Sequence, residues 1–347
     1  MPDTELDIKS LFPEELIRVM DSIGQKAYRA DQIFSWFSRG CGSWRSMTDI
    51  PERVRLEMQE KYPISSPELI SESISAIDET AKYLWELSDG HSIETAVMKY
   101  RYGNTVCISS QVGCRQGCAF CASTIGGKIR DLTASEMMDE VISSEQRFGE
   151  SVSHVVIMGI GEPLDNYEQV VRFLRLIHHP KGRNISYRNI TLSTCGLIER
   201  FDDLARENIP ITLSVSLHAP DDRTRDLIMP SNRGRGVQAL IEKCAEYYQL
   251  TKRRVTFEYA MIQDVNDSLW QAELLAKRVS PLKAHVNLIP LNPVEERPFK
   301  PSLPEQMNRF KNVLDSYNSN YTVRRSLGGD VNAACGQLRR AFRKERA

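Results

Sequence analysis

Three cysteines lie close together in the stretch CRQGCAFC, with three residues between the first pair and two between the second. Because Cys114, Cys118 and Cys121 belong to one short loop, their sulfurs can reach a single metal centre without long-range folding. An iron-sulfur cubane usually takes four cysteines, so three would leave one iron open to a small molecule. An open iron of this kind is a site for chemistry.

Two other interpretations of the cysteines stay open at this point. Structural zinc takes four ligands, usually from paired CxxC units, and Cys107 could complete such a set with the three clustered cysteines. Isolated cysteines such as Cys41 and Cys244 are typical of small buried side chains. Packing alone is a poor explanation for three clustered cysteines that are accompanied by Gly113 and Gly117.

Composition indicates a globular protein of the cytoplasm. The 347 residues are 41% hydrophobic and 26% charged, which allows one large domain and a small one. No apolar run is long enough to span a bilayer, and the opening segment MPDTELDIKS is acidic where a signal peptide carries positive charge. In that reducing compartment the eight cysteines are better explained by metal binding, catalysis or packing than by disulfides.

The charge is unevenly distributed along the chain. Residues 1–90 contain 10 Lys and Arg against 17 Asp and Glu, a net charge of −7, whereas residues 91–347 contain 35 against 29, a net charge of +6. The basic part is therefore the one with the clustered cysteines. Segments such as TKRRVTF and LRRAFRKERA resemble a phosphate-contacting surface, although such runs are also typical of a solvated face.

Hydrophobic periodicity divides the chain into elements. Apolar residues at three- and four-residue spacing predict a small helical N-terminal domain from three segments within residues 13–62. Residues 63–80 are rich in Ser, Pro and Glu and indicate a connector. Strand-like stretches on both sides of Asp89 and Gly90 predict a β-hairpin.

Beyond the hairpin, β-rich and helical segments alternate. Six such units predict an α/β fold with a parallel sheet and crossover helices. The predicted strands are VCISSQ, HVVIMGIG, NITLSTCG, ITLSVSLH, RVTFEYAMI and HVNLIPLN. Periodicity does not distinguish an open doubly wound sheet from a partial barrel.

Polar or small residues stand where five of these strands end. The cysteine loop follows the first strand, and GIGEP, STCG, SLHAP and PLNP follow or complete four others. In βα folds the carboxyl ends of the strands build the active site. The five segments are therefore expected to converge on one cavity.

The motifs resemble those of a known family. CxxxCxxC followed by a strand-terminal GEP is similar to the radical S-adenosylmethionine (SAM) superfamily, whose fold is a partial (βα)6 barrel. SQVGCRQGCAFCAST, MGIGEPLDN, SLHAPDD, NLIPLNP and AACGQL together closely resemble the RlmN/Cfr family of RNA adenine methyltransferases, over nearly the whole chain. The resemblance implies a radical SAM barrel with a small helical N-terminal accessory domain.

The resemblance also implies a cofactor set and its ligands. Cys114, Cys118 and Cys121 would hold one [4Fe-4S] cluster. The SAM-binding positions that it implies are Gly161, Glu162, Ser193, Ser216, Leu217, His218 and Asn292. These types suit a zwitterionic, hydroxyl-rich cofactor, which needs a carboxylate for its ammonium group and neutral donors for its ribose and base. Taken singly, each has a structural alternative: Glu162 a turn, Ser193 a strand-end cap, and His218 a core histidine.

Three further residues take roles in the reaction that the family implies. Cys335 would accept a methyl group from a first SAM, and a second SAM would yield a 5′-deoxyadenosyl radical that removes hydrogen from the S-methyl group. The carbon radical would add to the adenine, whose amidine carbon is not nucleophilic enough for direct methylation. Release would need Glu94 as proton acceptor and Cys107 as resolving thiol, through a transient Cys107–Cys335 disulfide.

Substrates and partners follow from the same resemblance. It implies methylation at C2 of an adenosine in the peptidyl-transferase centre of 23S rRNA, and of the adenosine next to the anticodon in some tRNAs. We expect an electron donor of the flavodoxin type and a monomeric enzyme that is not attached to a membrane. We also expect the chain to be divided into three regions. Residues 1–80 would form the RNA-binding helical domain and linker, residues 81–105 a β-hairpin extension, and residues 106–347 the radical SAM core.

Two alternative functions stay open, and two residues differ from the usual pattern of the family. A Cfr-like enzyme would methylate adenine C8, and a zinc-stabilised RNA-binding module would use Cys107 with the three clustered cysteines and would catalyse nothing. Asn332 stands where an aspartate is usual before AACGQL, and Cys195 stands where serine is common in STCG. The first weakens any role for a carboxylate near Cys335, and the second adds a thiol near the expected SAM pocket.

Overall fold

A computed structural model describes residues 7–325, 328, 338–340 and 342. Its N-terminal part contains the three predicted helices, α1 (Pro13–Ser22), α2 (Tyr28–Ser38) and α3 (Glu52–Lys61). Pro13 opens α1 at a position where a missing N–H costs nothing, and the Glu15 carboxylate accepts a bond of 2.8 Å from the Phe12 N–H. Trp44 is fully buried and packs edge-on against Phe37 of α2. The buried apolar side chains of these helices join those of the barrel in one continuous hydrophobic cluster.

The rest of the described chain is built on one ten-stranded sheet and a two-stranded ribbon. The strands are β1 (Glu68–Ile74), β2 (Ala81–Glu86), β3 (Ser92–Tyr100), β4 (Gly103–Ile108), β5 (Gln111–Gly113), β6 (Lys128–Asp131), β7 (Val152–Ile157), β8 (Ile190–Thr194), β9 (Thr212–Ser216), β10 (Thr256–Met261), β11 (His285–Pro290) and β12 (Asn320–Val323). The helices that follow the ribbon are α4 (Ala134–Phe148), α5 (Tyr167–His178), α6 (Phe201–Arg206), α7 (Asp222–Ile228), α8 (Val237–Thr251), α9 (Leu269–Val279) and α10 (Pro304–Ser316). Among the described residues no helix is long and apolar enough to cross a bilayer.

The strand order identifies the architecture. The large sheet runs β1-β2-β3-β4-β7-β8-β9-β10-β11-β12, and every pair from β4 to β12 is parallel. A doubly wound sheet reverses its strand order at a switch point, whereas here the parallel strands follow chain order without reversal. The six predicted strands, confirmed as β4 and β7–β11, therefore form the wall of a partial barrel.

The antiparallel strands continue this wall. The predicted hairpin is confirmed as β2 and β3, and β3 also pairs with β4, so the hairpin belongs to the same sheet as the barrel. The prediction of a connector over residues 63–80 was wrong in part, because β1 lies within it and pairs with β2. β1 is an exposed edge strand, so its sequence is polar and lacks the apolar alternation of an inner strand.

A buried ion pair joins the N-terminal segment to the barrel. Lys9 Nζ lies 2.6 Å from Asp139 on α4, and the two side chains are only 6% and 8% exposed. Burial raises the pKa of Asp139 to about 6, against the opposing effect of the Lys9 charge. Arg172 on α5 adds a second link by donating to the Glu15 carboxylate.

Candidate active site

The cysteine loop leaves the ribbon strand β5 through a glycine that no other residue can replace without strain. Gly113 has a φ of +82°, and a Cβ there would lie 2.0 Å from the Gly127 carbonyl oxygen. Further along, Thr124 Oγ1 donates to the carbonyls of Cys118 and Cys121 at 3.2 and 3.0 Å. The loop is thus shaped by its own hydrogen bonds, and it turns the cysteine side chains inward.

Cys114, Cys118 and Cys121 line one cavity of about 270 Å³, which we call the cysteine cavity. Burial raises the pKa of the Cys114 thiol to about 12 and raises that of Cys118 further. Thiolates at these positions therefore need the positive charge of a bound metal centre. Three thiols that line one cavity fit a cluster held by three protein ligands.

The zinc alternative is less well supported by the geometry. Within the described ranges, no three Cys, His, Asp or Glu side chains lie close enough to hold a single metal ion. Cys107, the proposed fourth ligand, lines a different cavity. A cubane spreads its ligands over several irons, so its thiols need not converge on one point.

The predicted convergence of the strand ends is confirmed. Besides the cysteines, the cysteine cavity is lined by residues from the ends of β7, β8, β9 and β11, namely Gly159, Gly161, Glu162, Ser193, Thr194, Cys195, Ser216, His218, Pro290, Leu291 and Asn292. Six of the seven predicted SAM positions are in this set. The exception is Leu217, whose side chain is fully buried away from the cavity and whose N–H donates to the Glu258 carbonyl at 3.0 Å.

Glu162 ties two strand ends together. Its carboxylate is 3% exposed and accepts bonds from Leu164 N at 3.0 Å, Thr194 Oγ1 at 2.7 Å and Cys195 N at 2.7 Å. Burial raises the pKa of Glu162, and these three donors and the Cys195 side chain act in the opposite direction. Oε2 accepts only one of the three bonds, and a carboxylate oxygen has two lone pairs, so it can accept from a further donor.

Arg225 on α7 positions the next two strand ends, and sequence reasoning missed it. Its guanidinium is 1% exposed and donates to the carbonyls of Cys195, Leu217 and Ser216 at 2.7, 2.9 and 3.0 Å, and to Asn232 Oδ1 at 2.7 Å. All three guanidinium nitrogens donate, while burial lowers the pKa of Arg225. It holds the STCG and SLHAP segments in register with each other.

His218 is held as a neutral ring with a defined tautomer. Burial lowers its pKa to about 3, and Nδ1 accepts a bond of 2.9 Å from the Ala260 N–H. The proton therefore stands on Nε2, which makes that nitrogen a donor. The ring also packs edge-on against Phe120 of the cysteine loop, with centroids 5.1 Å apart. The loop and the end of β9 are thereby fixed relative to each other.

Two buried polar atoms of the cavity wall have no hydrogen-bond partner among the described residues. They are Ser123 Oγ, beside the cysteines, and Glu258 Oε2, on β10. Glu258 is 3% exposed, and its other oxygen accepts from Ser214 Oγ at 2.5 Å and Asn287 Nδ2 at 3.0 Å. A buried carboxylate oxygen without a donor is costly. The wall therefore fits a ligand that brings hydroxyl or ammonium donors, as SAM does.

A smaller cavity of about 70 Å³, which we call the Glu94 cavity, adjoins the first. Gly159 and Arg324 line both cavities and form the boundary between them. Ala96 on β3 pairs with Lys82 on β2 and with Cys107 on β4, so the three side chains share one face of the sheet. Glu94 precedes Ala96 by two residues and points to the same face. The strand register thus places a carboxylate, an ammonium group and a thiol in one cavity.

Both carboxylate oxygens of Glu94 have partners. Lys82 Nζ lies 3.0 Å from Oε2, with the two side chains 2% and 4% exposed. Oε1 accepts a hydrogen bond from the backbone N–H of Arg339. Cys335, the predicted methyl carrier, and Asn332 lie outside the described residues, and Cys335 precedes Arg339 by four positions in the sequence. Arg339, in the described stretch 338–340, therefore contacts the predicted base directly.

Comparison with known proteins agrees with this arrangement. A family model described as the Radical SAM superfamily matches residues 108–274, and one described as the Ribosomal RNA large subunit methyltransferase N-terminal domain matches residues 6–64. A solved radical SAM methyltransferase from Sphaerobacter thermophilus superposes with a TM-score of 0.91 at 41% identity, over 96% of this chain and 98% of that one. The barrel is therefore that of a radical SAM enzyme.

Sequence relatives narrow the class. A probable dual-specificity RNA methyltransferase RlmN from Desulforamulus reducens is 47% identical over 341 residues, which cover 98% of this chain and 97% of the relative. A second one, from Clostridium acetobutylicum, is 44% identical over 95% of this chain and 96% of the relative. The chain belongs to the RlmN family of radical SAM RNA methyltransferases. The zinc-stabilised binding module without catalysis is thereby set aside.

Proposed function

We propose that this enzyme methylates C2 of an adenosine in the peptidyl-transferase centre of 23S rRNA, and of the adenosine next to the anticodon in some tRNAs. One observation carries the proposal: the three predicted cluster cysteines and six of the seven predicted SAM positions line one cavity, and the predicted base and resolving thiol line its neighbour, with Gly159 and Arg324 in common. Chemistry started in one cavity can therefore be completed in the next. Several relatives bear the name dual-specificity RNA methyltransferase RlmN, which supports the C2 choice over C8.

In this proposal, different residues bind the cluster, the ammonium group of SAM and the nucleoside of SAM. Cys114, Cys118 and Cys121 hold a [4Fe-4S] cluster, which when bound supplies the electron that cleaves SAM to a 5′-deoxyadenosyl radical. Glu162 and Gly161 accept from the SAM ammonium group, since Glu162 Oε2 keeps acceptor capacity. The other lining positions, Ser193, Ser216, His218 and Asn292, meet the nucleoside, with His218 offering its Nε2–H. Leu217 acts only through its backbone.

The second cavity completes the reaction. Cys335 receives a methyl group from one SAM, and a second SAM is consumed when that methyl group is activated, so each turnover uses two. Once the radical adduct has given up one electron, which the oxidised cluster would accept, Glu94 takes the proton from the substituted ring carbon and the C–H electron pair stays in the ring. Cys107 thiolate then attacks the Cys335 sulfur, and a Cys107–Cys335 disulfide forms. The electron pair of the broken carbon–sulfur bond goes to the methylene carbon, which takes up a proton to become the new methyl group.

The N-terminal helical domain supports RNA binding in the proposal. Although residues 1–90 carry a net charge of −7, α2 and the residue after it place cations against aromatic rings. Arg29 lies 5.2 Å from the Tyr28 ring centre, and Arg39 lies 4.3 Å from that of Trp36. Tyr28 is 53% exposed. Paired aromatic and guanidinium groups are surfaces on which RNA bases stack.

The remaining parts of the proposal concern the oligomeric state, location, electron donor and domain organisation of the enzyme. The enzyme works as a monomer in the cytoplasm and takes electrons from a flavodoxin-type donor. Residues 1–80 act as the RNA-binding domain and linker, residues 81–105 as the extension that provides Glu94, and residues 106–347 as the core. The boundary at 105/106 falls within β4, so the extension and the core share a strand.

The test uses SAM that is deuterated in its methyl group. The reconstituted protein is incubated without oxygen with a 23S rRNA fragment, a reductant and the labelled SAM, and the digested nucleosides are analysed by mass spectrometry and NMR. Transfer through Cys335 leaves two deuterons in the new methyl group, because one is removed before the carbon–carbon bond forms. Direct transfer from SAM would keep all three.

The Cys335→Ala variant is the control for the carrier. It should give neither product nor RNA adduct, while the iron content stays that of the parent. Methyl groups at C8 would replace the C2 assignment with a Cfr-like one. Normal methylation by Cys335→Ala would overturn the carrier mechanism.

A further inference from the structure

Lys82 forms an ion pair with Glu94 but has no role of its own in the reaction described so far. Lys82 Nζ lies 3.0 Å from the Glu94 carboxylate, and the two side chains are only 2% and 4% exposed. Both side chains line the Glu94 cavity together with Cys107. The pairing of β2 with β3 sets Lys82 opposite Ala96 and Leu84 opposite Glu94, so the lysine reaches its partner diagonally across the two strands. The sheet register therefore fixes the ammonium group beside the carboxylate.

Burial creates a difficulty for a carboxylate that must accept a proton. An ionised carboxylate removed from water without a cation takes up a proton, and a protonated carboxyl cannot act as a base. We propose that Lys82 is a positioning residue that keeps Glu94 ionised and oriented, so that Glu94 can take the ring proton of the RNA adduct. The inference rests on the proposed role of Glu94. In this proposal the proton moves only from the ring carbon to the Glu94 carboxylate.

Several other groups surround Glu94. The Arg339 N–H donates to Oε1, and the Ser109 hydroxyl donates to the Glu94 carbonyl at 3.0 Å. Glu140 on α4 accepts from the Ser109 N–H, so it adds a further buried carboxylate to this region. Arg324 and Cys107 also line the cavity. Among these groups, the Lys82 ammonium group lies in direct contact with the Glu94 carboxylate, 3.0 Å from Oε2.

The test follows release of the covalent RNA adduct as a function of pH. Adduct retained by Lys82→Met and Lys82→Gln is measured on denaturing gels after a single turnover, from neutral pH to about pH 9. Both variants should retain adduct at neutral pH and release it as the pH rises, with the midpoint moved upwards by about one unit or more. Lys82→Arg should restore release at neutral pH, whereas Glu94→Gln should retain adduct at every pH.

A matched control separates this effect from lost stability. Lys9→Met removes the lysine of the other buried ion pair, 2.6 Å long and 6% and 8% exposed, which touches neither cavity. It should lower stability while adduct release keeps the parental pH profile. A second readout needs no turnover: the infrared C=O stretch of a protonated carboxyl should appear in Lys82→Met at neutral pH and vanish in Lys82→Met/Glu94→Gln.

The outcomes distinguish two failures. If Glu94→Gln releases adduct normally, the base assignment is wrong and the role of Lys82 falls with it. If Glu94→Gln retains adduct while folded Lys82→Met and Lys82→Gln release it with the parental pH profile, only the role of Lys82 is overturned. The same profile change in Lys9→Met would also overturn it, because the effect would then be one of general stability.

Discussion

The cysteine cavity and the Glu94 cavity share a wall but come from different parts of the fold. The first is built at the carboxyl ends of parallel strands, where loops bring together thiols, a carboxylate and a neutral histidine. The second is built on the face of the antiparallel extension, where strand register alone sets Lys82, Glu94 and Cys107 side by side. Loops thus supply cofactor binding, while a rigid sheet supplies acid–base and thiol chemistry. Variants in the two cavities should therefore fail at different steps.

The largest expected effect is the loss of the cluster. Cys118→Ala should abolish methylation, because the remaining two thiols cannot hold a cubane, and adduct should not form either. Iron content and the visible absorption of protein purified without oxygen measure the loss. A variant that retains full iron and activity would show that Cys118 is an ordinary buried thiol and would remove the basis of the comparison.

The next variant tests whether the two cavities are chemically separate. Cys107→Ala should keep its iron but retain a covalent adduct between Cys335 and RNA, since the resolving thiol is missing. Cys41→Ala is the matched control, because Cys41 and Cys107 are both 9% exposed and Cys41 lies in the helical domain. If Cys107→Ala loses iron while Cys41→Ala keeps it, Cys107 is a cluster ligand. The two cavities would then form one site.

The sequence predicted these two cavities unequally. The local spacing of Cys114, Cys118 and Cys121 is enough to predict a metal-cluster site. The alternation of β and helical patterns is enough to place the polar motifs at the strand ends. Lys82 carries no local signal in TAKYLWE, because its role appears only when β2, β3 and β4 are placed in register. Arg225 is similar, since its acceptors come from the ends of two strands. Long-range register, which periodicity does not encode, explains both omissions.

A subtler variant addresses the cysteine cavity alone. Glu258→Gln should weaken SAM binding about tenfold, or about 1.4 kcal/mol, because an amide has only one accepting end and cannot accept both from Ser214 and Asn287 and from a donor of the ligand. Equilibrium dialysis with SAM measures the change without turnover. Ser214→Ala, which removes a donor to the other oxygen, should have a smaller effect. Equal affinity of Glu258→Gln and parent would show that the ligand does not reach β10.

The smallest expected effect concerns a buried ion pair outside both cavities, which serves as the reference for Lys82 and Glu94. The pKa of Asp139 is raised to about 6 in the folded protein, above its unfolded value of about 3.9, so folding favours the protonated form. Its contribution to stability is full below the unfolded pKa and is lost as the pH rises through about 6.

Between pH 5 and pH 7.5 this group should therefore cost the parent protein on the order of 1 kcal/mol, and the double variant Lys9→Met/Asp139→Asn should lack that part of the pH dependence. Denaturation in urea under anaerobic conditions, at both pH values, measures the difference. If parent and double variant respond to pH alike, the Lys9 charge fully compensates the burial of Asp139. Lysine would then be sufficient to keep a buried carboxylate ionised in this fold, which would strengthen the same argument for Glu94.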